Sequence, residues 1–138
     1  LFRSTTIQTA FMGIENYGWR VVGITKAALN LLATESFDKN KLPRKLCRGH
    51  ITERIRTAKM LFGESEPLAL DRFFEIFIEN DRTIIMLNEE NRKSNVPEDY
   101  IAIDNPNAEL FPSGSLMSWK HRKKEREFLR ELYAQQNK

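Results

Sequence analysis

Little in this sequence supports cross-links, membrane spans or low-complexity tracts. Cys47 is the single cysteine, so neither a disulfide framework nor a Cys-x-x-Cys zinc pattern can form within the chain. That points to a reducing, cytoplasmic setting. No apolar run reaches the roughly 18 residues of a membrane span. The opening Leu1-Phe2-Arg3-Ser4-Thr5-Thr6 lacks the apolar core of a secretory signal and begins without Met, as expected of one domain within a longer protein. Glycine and proline are sparse, at 6 and 5 residues, and no internal repeat is visible. The two histidines, His50 and His121, are too far apart for a paired-His metalloprotease helix. A glycine-rich phosphate loop and a serine nucleophile elbow are also missing.

What remains is a globular composition, 41% hydrophobic and 30% charged over 138 residues, enough for one domain with a real core. The net charge is +3, unevenly spread. Residues 39–59 hold Lys39, Lys41, Arg44, Lys45, Arg48, Arg54, Arg56 and Lys59 against one acid, Glu53. Residues 60–112 are acidic, and residues 113–138 are basic again. If the two basic segments meet on one face, they make a surface for phosphate.

The hydrophobic pattern mixes helices and short strands without a regular alternation, which predicts an α+β fold. We expect a single domain with about four or five helices around a small, mostly antiparallel sheet. Arg20–Ile24, Thr83–Leu87 and Tyr100–Ile103 read as strands. Thr25 reads as the N-cap of a helix running to about Phe37. Ile51, Ile55, Ala58 and Phe62 mark a second helix, stopped at Gly63. A third follows, capped by Asp71, with Leu70, Phe73, Phe74, Phe77 and Ile78 as its core stripe. Asn88–Asn95 reads as a polar turn or short helix, and the last helix as about Ser118 to Tyr133.

The chemistry concentrates on Arg48-Gly49-His50. Imidazole can lose its proton near neutral pH, as a general base must. Gly49 removes a side chain beside it, and Arg48 and Arg54 favour the neutral ring by charge repulsion. The bland alternative is a surface histidine at a helix start. The strand Thr83–Leu87 leads into Asn88-Glu89-Glu90-Asn91, whose oxygens suit a hard cation such as Mg²⁺. Arg44, Lys45, Arg54, Arg56 and Lys59 are candidate nucleic-acid contacts. So are Lys120, Arg122, Lys123 and Lys124 beside Trp119, although Glu125, Glu127 and Glu131 could instead pair with them on a solvated helix face.

Arg48-Gly49-His50 together with Glu89-Glu90-Asn91 resembles the ββα-metal (HNH-like) nucleases. Those place a histidine at a strand end, in some members within an Arg-Gly-His triplet, and a metal-ligating Asn or His on a following helix. The resemblance implies a restriction-type endonuclease. His50 would be the base, Arg48 would meet phosphate, and Asn91 with Glu90 or Glu89 would lie near a divalent metal, taken as Mg²⁺. The implied partner is nucleic acid, DNA ahead of RNA. Here, unlike in the compact motif, two predicted helices separate the two parts. A second ribonuclease pattern, Arg44 and His50 on one helix as in HEPN-type enzymes, is opposed by Pro43 and Gly49. Two other classes fit the same residues: a non-catalytic DNA- or RNA-binding domain, and a protein–protein interaction domain working through residues 60–112.

Overall fold

Two apolar strands form the centre of the molecule. In a computed structural model, which describes residues 18–92, 97–114 and 118–138, Arg20–Thr25 forms β1 and Arg82–Leu87 forms β3. They pair in parallel, Ile24 opposite Ile85, with a register shift between Val21 and Gly23. Both are nearly continuously buried, as befits inner strands. The outer strands are Leu46–His50, β2, antiparallel to β3, and Tyr100–Ala102, β4, antiparallel to β1. The sheet order is therefore β2-β3-β1-β4, a mixed sheet. Gly23 is required where β4 crosses, because a Cβ there would lie 2.4 Å from the Tyr100 ring.

Five α-helices complete the described residues. Helix α1, Lys26–Thr34, starts where expected, with Thr25 Oγ1 accepting from the Ala28 amide at 3.2 Å. It lays Ala28, Leu29 and Leu32 on the core formed by Val21, Ile24 and Ile85. Helix α5, Lys123–Gln136, closes the same core with Leu129 and Leu132. It begins five residues later than the sequence suggests. Trp119 and Phe111 are buried in the same core.

Helices α2, Arg54–Phe62, and α3, Leu70–Asn80, leave the sheet between β2 and β3. They form a separate small cluster around Leu61 and Phe77. Here the aromatic stripe departs from expectation. Phe77 is buried, but Phe74 is exposed and Leu70 is 69% exposed, because this two-helix layer is covered on one side only. Asp71 lies in the first turn of α3 and Ala69, not Asp71, occupies the cap position. The short helix α4, Asn88–Arg92, follows β3 directly. Lys93, Ser94 and Asn95, which the sequence joins to that turn, lie outside the described residues, as does the opening Leu1–Thr6. No helix among the described residues is long and apolar enough to cross a membrane.

The stretch Leu46–His50 is a strand rather than a helix entry. Arg44 and His50 therefore share no helix, and the HEPN-type arrangement is absent. His50 ends β2 opposite Thr83, while Leu46 faces Leu87 at the other end.

Candidate active site

Extended backbone at Arg48-Gly49-His50 sends alternate side chains to opposite faces of the sheet. His50 Nε2 meets the carboxylate of Asp81 at 2.7 Å. Both side chains are enclosed, His50 10% and Asp81 1% exposed. A carboxylate accepts, so Nε2 carries the proton in this bond. The second oxygen of Asp81 accepts the Trp19 amide at 2.7 Å. Both carboxylate oxygens are thus engaged, and the imidazole is fixed in tautomer and direction.

Trp19 organises this corner. Its ring meets the imidazole edge to face, with centroids 4.3 Å apart. Its φ of 59° is a left-handed conformation that costs a bulky residue about 1 kcal/mol. Hydrogen bonds offset that strain: besides its amide bond, its carbonyl accepts from Thr83 Oγ1 at 3.0 Å and Arg48 Nη1 at 3.1 Å.

Arg48 lies deeper than its expected role on phosphate allows, and that role needs revision. It is 4% exposed, and its guanidinium also donates to Ser113 Oγ at 3.3 Å and the Ser118 carbonyl at 2.8 Å. Burial draws its pKa down to about 10, against the attraction of Asp81. In this fold Arg48 is a strut joining β2 to Trp19 and to the chain around Ser118. Its charge still bears on the cleft it borders.

That cleft, of about 530 Å³, is lined by His50, Arg48, Asn91, Arg44, Arg54 and Lys39, among others. His50 and Asn91 both border it, while Glu89 and Glu90 do not. A Cβ at Gly49 would sit 2.5 Å from Met86 Cε and 3.2 Å from Asn91 Oδ1, so Asn91 approaches the strand closely there. Helix α4 is tied at its first residue to the chain before β2: Asn88 Nδ2 donates to the Arg44 carbonyl, and the Asn88 amide to the Lys45 carbonyl at 3.0 Å. Arg54 lies over the Trp19 ring, its guanidinium carbon 5.6 Å from the centroid. Cys47 also borders the cleft, but burial, with help from Glu90, pushes its thiol up to about 11. A raised thiol pKa disfavours the thiolate that nucleophilic attack needs.

The carboxylates expected beside Asn91 lie elsewhere. Glu90 Oε2 accepts from Thr25 Oγ1 and the Leu87 amide, each at 2.8 Å, and so binds α4 to the start of α1. Glu89 is exposed, and neither residue lines the cleft. Among the described residues no three His, Cys, Asp or Glu side chains gather as a metal cage. The donor set on the cleft is a single expected ligand, Asn91, without the one or two carboxylates that ordinarily hold Mg²⁺. It does not fit a cage that includes Glu89 and Glu90.

The remaining cations are dispersed. Lys45, Arg56 and Lys59 are exposed outside the cleft. On α5, Lys123 pairs with Glu127 at 3.6 Å and Lys124 with Glu109 at 3.7 Å. Arg122 forks onto Glu125, whose carboxyl burial would raise but the Arg122 and Phe111 hydrogen bonds hold low. Lys120 is exposed. The α5 cluster is thus mostly a paired helix face.

His121 lies apart from the cleft and serves the core. Its Nε2 donates to the Phe37 carbonyl at 2.7 Å, and its buried Nδ1 meets no partner among the described residues. Burial lowers its pKa from 6.5; Lys39 and Arg126 add to this, while the Phe37 carbonyl and Glu125 work against it. The unfolded chain then binds the extra proton first, so stability falls as pH drops below 6.5 and is unaffected by this group above neutrality. Urea midpoints between about pH 7.5 and 5.5 will show the decline. His121→Gln will flatten it; an unchanged slope in that variant would assign the effect to other groups.

Asp81 and Trp19 are the site residues that sequence reasoning missed. One signal for Asp81 exists: it is an acid at the end of α3, where the helix dipole disfavours negative charge. Comparison with known proteins finds no matching family model, no matching curated protein and no matching solved structure.

Proposed function

We propose that this domain hydrolyses phosphodiester bonds in nucleic acid, DNA foremost, at the cleft around His50. The buried Asp81–His50 pair, opening on a cation-walled cleft that also holds Asn91, is the observation that carries this reading. Asp81 accepts the Nε2 proton and keeps Nδ1 as the basic nitrogen. Nδ1 takes a proton from water as its oxygen bonds to phosphorus; the P–O3′ bond breaks and the leaving oxygen takes a proton from solvent. Arg44 and Arg54 border the cleft where phosphate charge must be neutralised.

Incubating the protein with supercoiled plasmid and Mg²⁺ or Mn²⁺ tests the reading. Nicking by the native chain and its loss in His50→Ala are expected. Equal cutting by His50→Ala would remove His50 from the mechanism. Binding without cutting, with a steep salt dependence, would make the chain a non-catalytic nucleic-acid module. The exposed Leu70 and Phe74 on acidic α3 favour the other reading, a protein–protein surface within residues 60–112.

A further inference from the structure

Lys39 begins a short 3₁₀ turn, Lys39–Lys41, and reaches from one basic segment to the other. Its Nζ donates to Ser118 Oγ at 2.8 Å and to the Trp119 carbonyl at 3.2 Å. It also lies 3.9 Å from the centre of the Trp119 ring. All three partners are neutral, and no carboxylate of the described residues lies within 4.0 Å. Arg48, donating to the same Ser118 through its carbonyl, adds a like charge nearby. Burial, then Arg48, lowers the ammonium pKa from 10.5. A half-buried ammonium beside a guanidinium is costly unless an anion completes it. Both groups border the same cleft as His50. Their contacts span about seventy to eighty residues of sequence, so tertiary structure assembles the arrangement.

We propose that Lys39, backed by Arg48, is the phosphate-binding subsite of this cleft, taking a phosphoryl oxygen while Trp119 shields the contact from water. The assignment rests on the reading of the cleft as a phosphodiester site and names the group that holds its substrate. The same oxygens could come from a polynucleotide backbone or from a free phosphate compound.

Two binding measurements in EDTA test it. One is the affinity for a labelled single-stranded oligonucleotide of about 12 nucleotides. The other is the melting shift caused by inorganic phosphate at constant ionic strength. Lys39→Met will weaken oligonucleotide binding about tenfold and abolish the phosphate shift. Lys39→Arg will keep both, and His50→Ala will bind normally yet fail to cut once Mg²⁺ is added. A phosphate shift without oligonucleotide binding would support the subsite and assign it to a free phosphate compound. Native-like binding by Lys39→Met, or loss of binding in Lys39→Arg as well, would overturn the Lys39 assignment. A native chain that cuts plasmid while Lys39→Met binds normally would remove Lys39 alone. A native chain that neither binds nor cuts would remove the cleft reading beneath it.

Discussion

If the cleft hydrolyses phosphodiesters as proposed, replacing Asp81 with Asn will lower that cleavage about a thousandfold while leaving the sheet folded. The carboxylate accepts from His50 Nε2 and from the Trp19 amide, each at 2.7 Å. An amide can keep the Trp19 bond with its oxygen but then offers an N–H to Nε2. The imidazole must answer by moving its proton to Nδ1, the nitrogen needed as base. The fold loses one buried charge and the attraction between Asp81 and Arg48, so a loss of stability accompanies the change. Plasmid-nicking rates and thermal melts on the same preparations separate the two consequences. A variant that cuts at the native rate would mean that Asp81 only supports the chain around Trp19.

The largest stability effect belongs to Arg48. Arg48→Ala will destabilise the domain by roughly 3 kcal/mol, since it removes one hydrogen bond from each of two carbonyls, deprives Asp81 of a neighbouring cation and leaves a cavity. The carbonyls are those of Trp19 and Ser118, at 3.1 and 2.8 Å from the guanidinium. In a domain of this size that is a fall of roughly 10 °C in Tm. Urea denaturation measures it directly. A loss below about 1 kcal/mol would show that the guanidinium is not a strut, and would restore it as a direct phosphate contact. The Lys39→Met variant offers the contrast: its defect lies in ligand response, whereas that of Arg48→Ala lies in the fold.

How far the sequence disclosed this arrangement depends on the scale of the forces involved. β1, β3 and α1 are legible because local pattern and burial agree: runs of Val and Ile, a Thr cap, and Leu at helical spacing. β2 is not legible. Leu46-Cys47-Arg48-Gly49-His50 has weak strand propensity, and five residue pairings with β3 make it a strand. His50 and Asn91 were visible as chemistry, and their meeting at one cleft depends on that pairing. Arg48 was misplaced because arginine is usually solvated, and long-range partners, the Trp19 and Ser118 carbonyls and Asp81 among them, make its burial tolerable. Asp81 was missed because it gains its role from a histidine 31 residues earlier. The carboxylates of Glu89 and Glu90 read as ligands because spacing cannot reveal that Glu90 is already taken by Thr25 and Leu87.

The chain leaves the sheet after His50 and re-enters at Asp81, and those two side chains touch. The Ile51 amide closes the same gap by donating to the Arg82 carbonyl at 3.0 Å. Everything between, α2 and α3 included, is a loop clasped at its neck. Lengthening a clasped loop costs little, about 0.6 kcal/mol for each doubling. The neck, and with it the imidazole, is held by the ladder between β2 and β3 rather than by the loop's contents. Residues 52–80 are therefore the part of this molecule where insertion, shortening or exchange of whole helices is most compatible with an intact cleft, provided that Arg54 keeps its place against Trp19.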